Sequence, residues 1–420
     1  MKKLPQAIIL AAGHSSRMFP YTDLNSHKSM IEIGGKPILE YVLEGVKKSG
    51  CKEVVIVVNK KKSDISDYFR DGKKIGFSIK YVIQKKPKGM GDALLSAKPF
   101  IQDKFFIINP NHVNVSEFLP LLVRAFTSKY EGVLLGSKTK EPWRYGVFQL
   151  RGNKILQIIE KPARGKEPSN IYIVGIYLLH RDFLKVLSKT PRTKSHLETA
   201  LNIFCKENNV RLLLSTKETF SLKYSWDLLR IKKFLGKRLK FSVSSKALVS
   251  SYAVLQGPVI IEEGAQISEG AVLKGPVYIG KNAFVGNHTL IRSNTFLEEG
   301  ARIGAMSEVR NSLFMKNSSF HTGFVGDSIV GENTKIGAGF VTANRRFDRG
   351  EISTYINKKK TPTGYTSLGA LIGHNVSIGI KCGTMPGVMI GSGSIVYPGT
   401  IVYKNIPENT SVKYSSGPNS

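Results

Sequence analysis

Gly13, Arg17 and Lys28 are the first residues of this chain whose types and spacing suit chemistry on phosphate. An apolar run, Ala7 to Leu10, has the length of one buried strand and breaks into a small-residue loop, Ala11-Ala12-Gly13-His14-Ser15-Ser16. A strand feeding a glycine-containing loop presents backbone N–H groups at the carboxyl edge of a sheet, where they hold phosphate oxygens. Arg17 and, further on, Lys28 would add fixed positive charge to the same mouth. Such an arrangement suits a nucleoside triphosphate. The plainer reading is an ordinary first strand and loop with two surface cations.

The elements that must position these residues are legible in outline. Short apolar runs at Val54–Val58 and 105–109 read as central strands, and 38–48, 63–70, 91–99 and 115–127 read as helices. Strands alternating with helices predict a mostly parallel, doubly wound sheet, with ligands beyond the carboxyl ends of its strands. From Val249 the pattern changes to a period of six: aliphatic residues stand at every sixth position to Val309, including Ile261, Ile267, Leu273, Ile279 and Ile303. The register shifts near Asn317, resumes at Phe324, Val330 and Ile336, and returns after a break at Ile372, Ile378, Ile390, Val396 and Val402. A hexad repeat predicts a coil of parallel β-helix with its aliphatic residues pointing inward. The break from about Arg345 to Ser367 predicts a loop leaving that coil.

The 420 residues suffice for two or three domains with proper cores. No apolar run nears the roughly 18 residues needed to cross a bilayer, and the start lacks a convincing cleavage site, so a cytoplasmic protein without a membrane partner is expected. Cys51, Cys205 and Cys382 are too scattered for a disulfide framework or metal set and read as buried thiols. The formal charge of +31 makes an anionic partner plausible, but the basic residues are spread along the whole chain. Nucleic acid, which only the charge suggests, is not the expected partner. The basic stretch from Arg230 to Lys246 reads as a solvated face of a connecting helix, with nucleic acid or headgroup contact as the alternative.

The opening segment resembles the signature of the sugar-1-phosphate nucleotidylyltransferases, with Leu10, Ala11, Ala12, Gly13, Arg17, Met18, Lys28 and Met30 matching, while Ser15, Ser16, His27 and Ser29 depart. The resemblance implies a Rossmann-like domain in which Leu10, Ala11, Ala12 and Gly13 hold the nucleotide and Gln84 and Gly89 read the base, with Met90 replacing a threonine. Arg17 and Lys28 would be its catalytic cations, neutralising the leaving group. It further implies Mg²⁺ held by two carboxylates. Asp227, in Tyr224-Ser225-Trp226-Asp227, matches one position, while Asn111 occupies the other. On the sugar-phosphate side Gly146, Glu160, Lys161 and Asn170 match, as do Gly175, Ile176 and Tyr177. Ile173 replaces an asparagine, and Glu198-Thr199 is a weaker echo.

The second half resembles the left-handed β-helix of hexapeptide acyltransferases, in particular the acetyltransferase part of bifunctional glucosamine-1-phosphate acetyltransferase/N-acetylglucosamine-1-phosphate uridylyltransferases of the archaeal type. His321-Thr322-Gly323-Phe324-Val325-Gly326-Asp327-Ser328 and Ala343-Asn344-Arg345-Arg346-Phe347-Asp348 carry the resemblance. It implies that His321 is the general base toward the sugar amine, that Asn344 orients substrate or polarises the thioester, and that Arg310 meets the sugar phosphate. Ala338 and Ala370 would line acetyl-CoA, the co-substrate. Phe324 replaces a tyrosine, and lysines expected at Gly350 and Ser353 are absent, though Lys358, Lys359 and Lys360 follow.

The expectation is therefore a nucleotidyltransferase domain over 1–227, a connecting helix over 228–246, a left-handed β-helix over 247–412 and a tail over 413–420. Such a protein would form a homotrimer through the β-helix. It would acetylate glucosamine-1-phosphate and join UTP or dTTP to a sugar-1-phosphate, giving a nucleotide sugar such as UDP-N-acetylglucosamine. Two alternatives stay open: a β-helix serving only as a trimerisation rod, and a catalytically eroded member acting as a regulatory or structural subunit.

Overall fold

β1 (Gln6–Ala11) is buried on both faces, as a continuous apolar strand must be in a sheet covered on both sides. Its odd residues Ala7, Ile9 and Ala11 enter one core, and Ile8, Leu10 and Ala12 enter the other. The computed structural model describes residues 5–13, 17–21, 26–59, 64–86, 88–152, 154–193 and 195–413. His14, Ser15 and Ser16 of the opening loop, Ser63 at the expected helix start, and the tail from 414 lie outside the described residues.

The chain divides into two bodies. The first contains residues 5–13, 26–30 and 38–221 among those described, and the second 17–21, 31–37 and 222–413. Arg17 and Asp227 thus belong to the second body, whereas Lys28 and Asn111 belong to the first.

In the first body, α1 (Ile38–Lys48), β2 (Glu53–Asn59), α2 (Asp64–Phe69), β3 (Ser78–Gln84), α3 (Met90–Ala97), β4 (Lys104–Ile108) and α4 (Leu119–Ala125) follow β1 in alternation. β5 (Gly132–Lys138), β6 (Gly146–Arg151), β7 (Lys154–Glu160), β8 (Ile171–His180), α5 (Phe183–Lys189), α6 (His196–Glu207) and β9 (Val210–Ser215) complete it. One nine-stranded sheet runs in the order β3-β2-β1-β4-β8-β5-β9-β7-β6. α1, α2 and α4 cover one face, and α3, α5 and α6 the other. The doubly wound plan holds, but the sheet is less parallel than expected. β8 lies antiparallel between β4 and β5, and β7 pairs antiparallel with β6 and β9. The apolar period of two that marks a strand carries no information about its direction.

The parallel quartet β3-β2-β1-β4 sets the working edge. Ala11 is level with Val58, Asn59 with Gln84, and Ile9 with Ile108, so the carboxyl ends of these four strands lie together. Gly13, Gln84 and the run after Ile108 leave the sheet there.

In the second body the hexads wind as a coil of parallel strands, one turn per three hexads. Ser242 pairs with Ile260, Ile260 with Tyr278 and Tyr278 with Phe296, and two further faces follow the same rule. Ile261, Ile267, Leu273, Ile279, Val285, Ile291, Leu297, Ile303 and Val309 fill its axis at 2% exposure or less. Each such side chain removed from water stabilises the coil by roughly 1.5–3 kcal/mol. Beyond Val309 some turns lose one or two residues: Arg302 pairs with Ser319 and Ser319 with Lys335. The resumed register was expected to put Phe324 inside. Val325 is the core residue instead, and Phe324 stands half-exposed beside it. The excursion after Asn344 holds an antiparallel hairpin, Ile352–Ile356 with Lys359–Tyr365, rather than an irregular loop.

α7 (Asp227–Gly236) belongs to this second body and is shorter than the expected connector, the first coil strand starting already at Ser242. Its basic face is not wholly solvated. Lys232 is fully buried, with its amine donating to the carbonyl of Asn294. The segment 31–37 is held by Glu298, whose two carboxylate oxygens accept the N–H groups of Gly34 and Gly35 at 2.7 and 2.8 Å. Both glycines have the left-handed φ that lets successive N–H groups converge, 67° and 73°.

Burial pushes the Glu298 carboxyl up to about 7, with Glu32 adding to the effect against the two N–H groups. A carboxyl raised above its ordinary 4.5 holds its proton more tightly folded than unfolded. Its contribution to stability is therefore full below that value and is lost as pH rises through about 7. The melting temperature should fall between about pH 5 and pH 8 from this source, and Glu298→Gln should flatten that fall in calorimetry. An identical pH profile in the variant would refute the assignment.

Candidate functional site

At the edge of the first body, Leu10, Ala11 and Ala12 commit their side chains to the cores, so only their backbone and Gly13 can face a ligand. Gly13 is exposed, with open space where a side chain would stand. Gln84 is nearly buried, and its amide N–H groups donate to the Gly89 carbonyl at 3.1 Å and to Asp92 at 2.9 Å. The structure therefore brings Gln84 and Gly89 together and leaves the amide oxygen of Gln84 as the group to meet a ligand.

Past β4, Asn111 is 8% exposed and His112 5%. Burial and the nearby Lys28 ammonium push the His112 imidazole down to about 4, so it stays neutral, and its Nδ1 has no hydrogen-bond partner. Lys28 and the Asn111-His112 pair thus share one neighbourhood. The sequence contained a signal for His112, a histidine directly after the candidate metal position, but an isolated histidine carries no weight without its burial.

A second cluster forms around β6 and β7. Gly146 and Glu160 face each other in register. A Cβ on Gly146 would lie 2.8 Å from the Glu160 carboxylate and 3.0 Å from Ile173, so a larger residue would have to push that carboxylate aside. Lys161, in the left-handed region at φ 47°, pairs with Glu160 at 3.2 Å. Glu198 and Tyr177 join them. Burial and then Glu160 raise the Glu198 carboxyl, while burial, Glu198 and Glu160 raise the Tyr177 hydroxyl. Glu198, the weaker echo of the family pattern, stands on α6, far along the chain from Glu160. Asn170 is exposed, and its carbonyl holds the Thr139 N–H at 2.9 Å.

The two residues expected at the metal differ in what they can donate. Asn111 offers a neutral amide. Asp227 has one oxygen committed to the N–H groups of Lys223 and Tyr224, at 2.8 and 2.7 Å, and burial raises its carboxyl. Among the described residues no cluster of three or more acidic, histidine or cysteine side chains could hold an ion. These residues do not fit a Mg²⁺ held by two protein carboxylates. In the second body, Arg17 lies 6.0 Å from the Tyr224 ring centroid, in cation–π range.

On the coil, His321 lies in the strand Ser319–Gly326, which spans two faces by bending between Thr322 and Gly323. Gly323 has φ 129°, and a Cβ there would meet the Phe340 carbonyl at 2.1 Å, so the bend beside His321 requires glycine. The His321 ring is exposed, makes no hydrogen bond with the described residues and borders an open groove of about 580 Å³. Apolar Phe284, Ile378 and Ile395 line that groove, with Arg302 and Lys335 supplying charge.

Asp327, 4% exposed, closes the same strand and gathers three donors. Arg310 reaches it at 2.9 Å, Asn344 at 2.6 Å and Asn311 at 2.7 Å. Arg310 and Asn344 are thus brought together through a residue not singled out from the sequence. No hydrogen bond joins Asn344 to His321. Ala338, level with Thr322, is half-exposed beside the bend. Ala370 must be corrected. It is fully buried in the coil axis, its N–H donates to Ser328 and its carbonyl accepts from Ile329, so nothing remains for acetyl-CoA.

Comparison with known proteins accords with both bodies. The Nucleotidyl transferase family matches residues 6–226. The chain is 40% identical to "Bifunctional protein GlmU" of Methanococcus maripaludis, over 97% of this chain and 96% of that one. It is 34% identical to "Bifunctional sugar-1-phosphate nucleotidylyltransferase/acetyltransferase" of Sulfurisphaera tokodaii, over 96% and 98%. A solved UDP-glucose pyrophosphorylase of Acinetobacter baumannii has a similar fold, with TM-score 0.50 and 21% identity over 56% of this chain and 94% of that one.

Proposed function

This chain belongs to the GlmU-type family of bifunctional sugar-1-phosphate nucleotidylyltransferases/acetyltransferases, and from that premise we propose that it makes an activated amino sugar in two steps. In the first step the amine of glucosamine-1-phosphate attacks the thioester carbon of acetyl-CoA. His321 takes the amine proton, the C–S bond breaks, and the thiolate leaves to be protonated as free coenzyme A. The apolar groove beside His321 suits a pantetheine arm, with Arg302 and Lys335 toward its phosphates, and Arg310 receives the sugar phosphate. The observation that carries this step is the exposed, unpaired imidazole at the groove's rim.

In the second step a phosphate oxygen of the sugar-1-phosphate attacks the α-phosphorus of UTP or dTTP and pyrophosphate departs. That chemistry rests on alignment and charge neutralisation, which Arg17 and Lys28 provide. The amide oxygen of Gln84 is an acceptor for the imide N–H of uracil or thymine. Glu160 accepts hydrogen bonds from sugar hydroxyls, with Lys161 toward the phosphate. Mg²⁺ supplies charge compensation to such reactions, and here it would arrive on the triphosphate rather than in a protein cage. A homotrimer built through a left-handed β-helix in the cytoplasm completes the proposal.

Purified protein given glucosamine-1-phosphate and acetyl-CoA should release free thiol. Given UTP, N-acetylglucosamine-1-phosphate and Mg²⁺, it should release pyrophosphate. Silence in both assays across a panel of sugar phosphates and nucleotides would overturn the proposal. Asn111 favours a second reading, in which the nucleotidyl half is regulatory and only thiol release is found.

A further inference from the structure

The three donors that converge on Asp327 leave little choice about which way each group is turned. Lys232, fully buried on α7, donates to the Asn311 side-chain oxygen at 3.3 Å. The Asn311 amide nitrogen must then face the other way, and it donates to Oδ1 of Asp327 at 2.7 Å. Oδ2 of Asp327 accepts both Arg310, at 2.9 Å, and the Asn344 amide nitrogen, at 2.6 Å. A carboxylate can only accept, so the polarity of each amide that faces it is determined. Asn344 is left with its oxygen turned away from Asp327.

Asp327 also sits at a left-handed turn of the coil. Its φ is 52°, a region that glycine and asparagine adopt more readily, and asparagine occupies several comparable turns of this coil, such as Asn282, Asn317 and Asn333. A carboxylate at this turn, 4% exposed, therefore has to be explained by what it holds. Asparagine could not hold the same three partners, because its own N–H₂ would face one of the donors.

We infer that Asp327 is a positioning residue for acetyl transfer, fixing the Asn344 amide with its oxygen toward the reacting amine, and that Lys232 acting through Asn311 supports it from α7. This rests on the acetyl-transfer reading above. A phosphate arriving at Arg310 would share the guanidinium with Asp327, which aims the cation while moderating its charge.

The test is Asp327→Asn in the full-length protein. The kcat for thiol release should fall at least tenfold, because the new N–H₂ faces the Asn344 or the Asn311 amide and the arrangement that orients Asn344 is broken. The KM for glucosamine-1-phosphate should stay within threefold, because Arg310 keeps its charge, and pyrophosphate release by the same preparation should stay within twofold. The double variant Asp327→Asn/Asn311→Asp moves the carboxylate one step toward Lys232. Its amide at 327 can donate to the new carboxylate and still accept from Asn344, so it should recover at least a third of the lost kcat. An unchanged kcat in the single variant would overturn the inference. So would a raised KM at constant kcat, which would make Asp327 only a partner of Arg310. If the single variant does not fold, the folded double variant decides: near-wild-type kcat supports the inference and an inactive enzyme overturns it. Wild-type protein that releases no thiol would instead remove the acetyl-transfer reading itself.

Discussion

His321→Ala is expected to lower thiol release from acetyl-CoA by about 10²–10⁴-fold, the usual loss when a positioned general base is removed. The imidazole stands exposed at the rim of the apolar groove, and no carboxylate or carbonyl among the described residues binds its ring. Nothing in the fold depends on that side chain, because the bend beside it is made by Gly323 and the neighbouring axis is filled by Phe320 and Val325. The variant should melt within a degree or two of the wild type and keep its pyrophosphate release. Thiol release within tenfold of wild type would mean that this histidine is not the base.

The second large effect concerns the metal. Asn111→Asp should lower the Mg²⁺ concentration for half-maximal pyrophosphate release by at least tenfold, the change expected if a carboxylate adds about 1.4 kcal/mol of metal affinity. Asn111 is 8% exposed beside the neutral His112, whose imidazole feels the Lys28 ammonium. A carboxylate there would be held near a cation, and without metal it would be costly to bury. The variant should therefore melt lower than wild type without Mg²⁺ and regain stability as the metal is added. An unchanged metal requirement would show that position 111 does not meet the nucleotide's cation. Asp227 supplies the control. Its oxygen already caps the turn at Lys223 and Tyr224, so Asp227→Asn should cost stability whether or not metal is present.

Much of this was open to reading along the chain. Short apolar runs alternating with helical patterns, then the hexad, separated an α/β body from a coil, because each pattern reports how its own elements are buried. The glycine-containing loop after β1 was visible from its residue types, and Gln84, Gly89, Gly146, Glu160 and His321 through the family resemblance of their segments. What the tertiary structure alone decided are the relations between distant segments. Strand direction put β8 and β7 against their neighbours, where the period is silent. Shortened turns moved the core position from Phe324 to Val325 and left Ala370 inside. Burial made His112 neutral and raised Glu198 beside Glu160. Lys232, which reads along the chain as one more solvated cation, became a buried amine behind Asn311 and Asp327. A linear sequence specifies what each residue can donate, accept or bury, but charge, polarity and access are set by neighbours that only folding supplies.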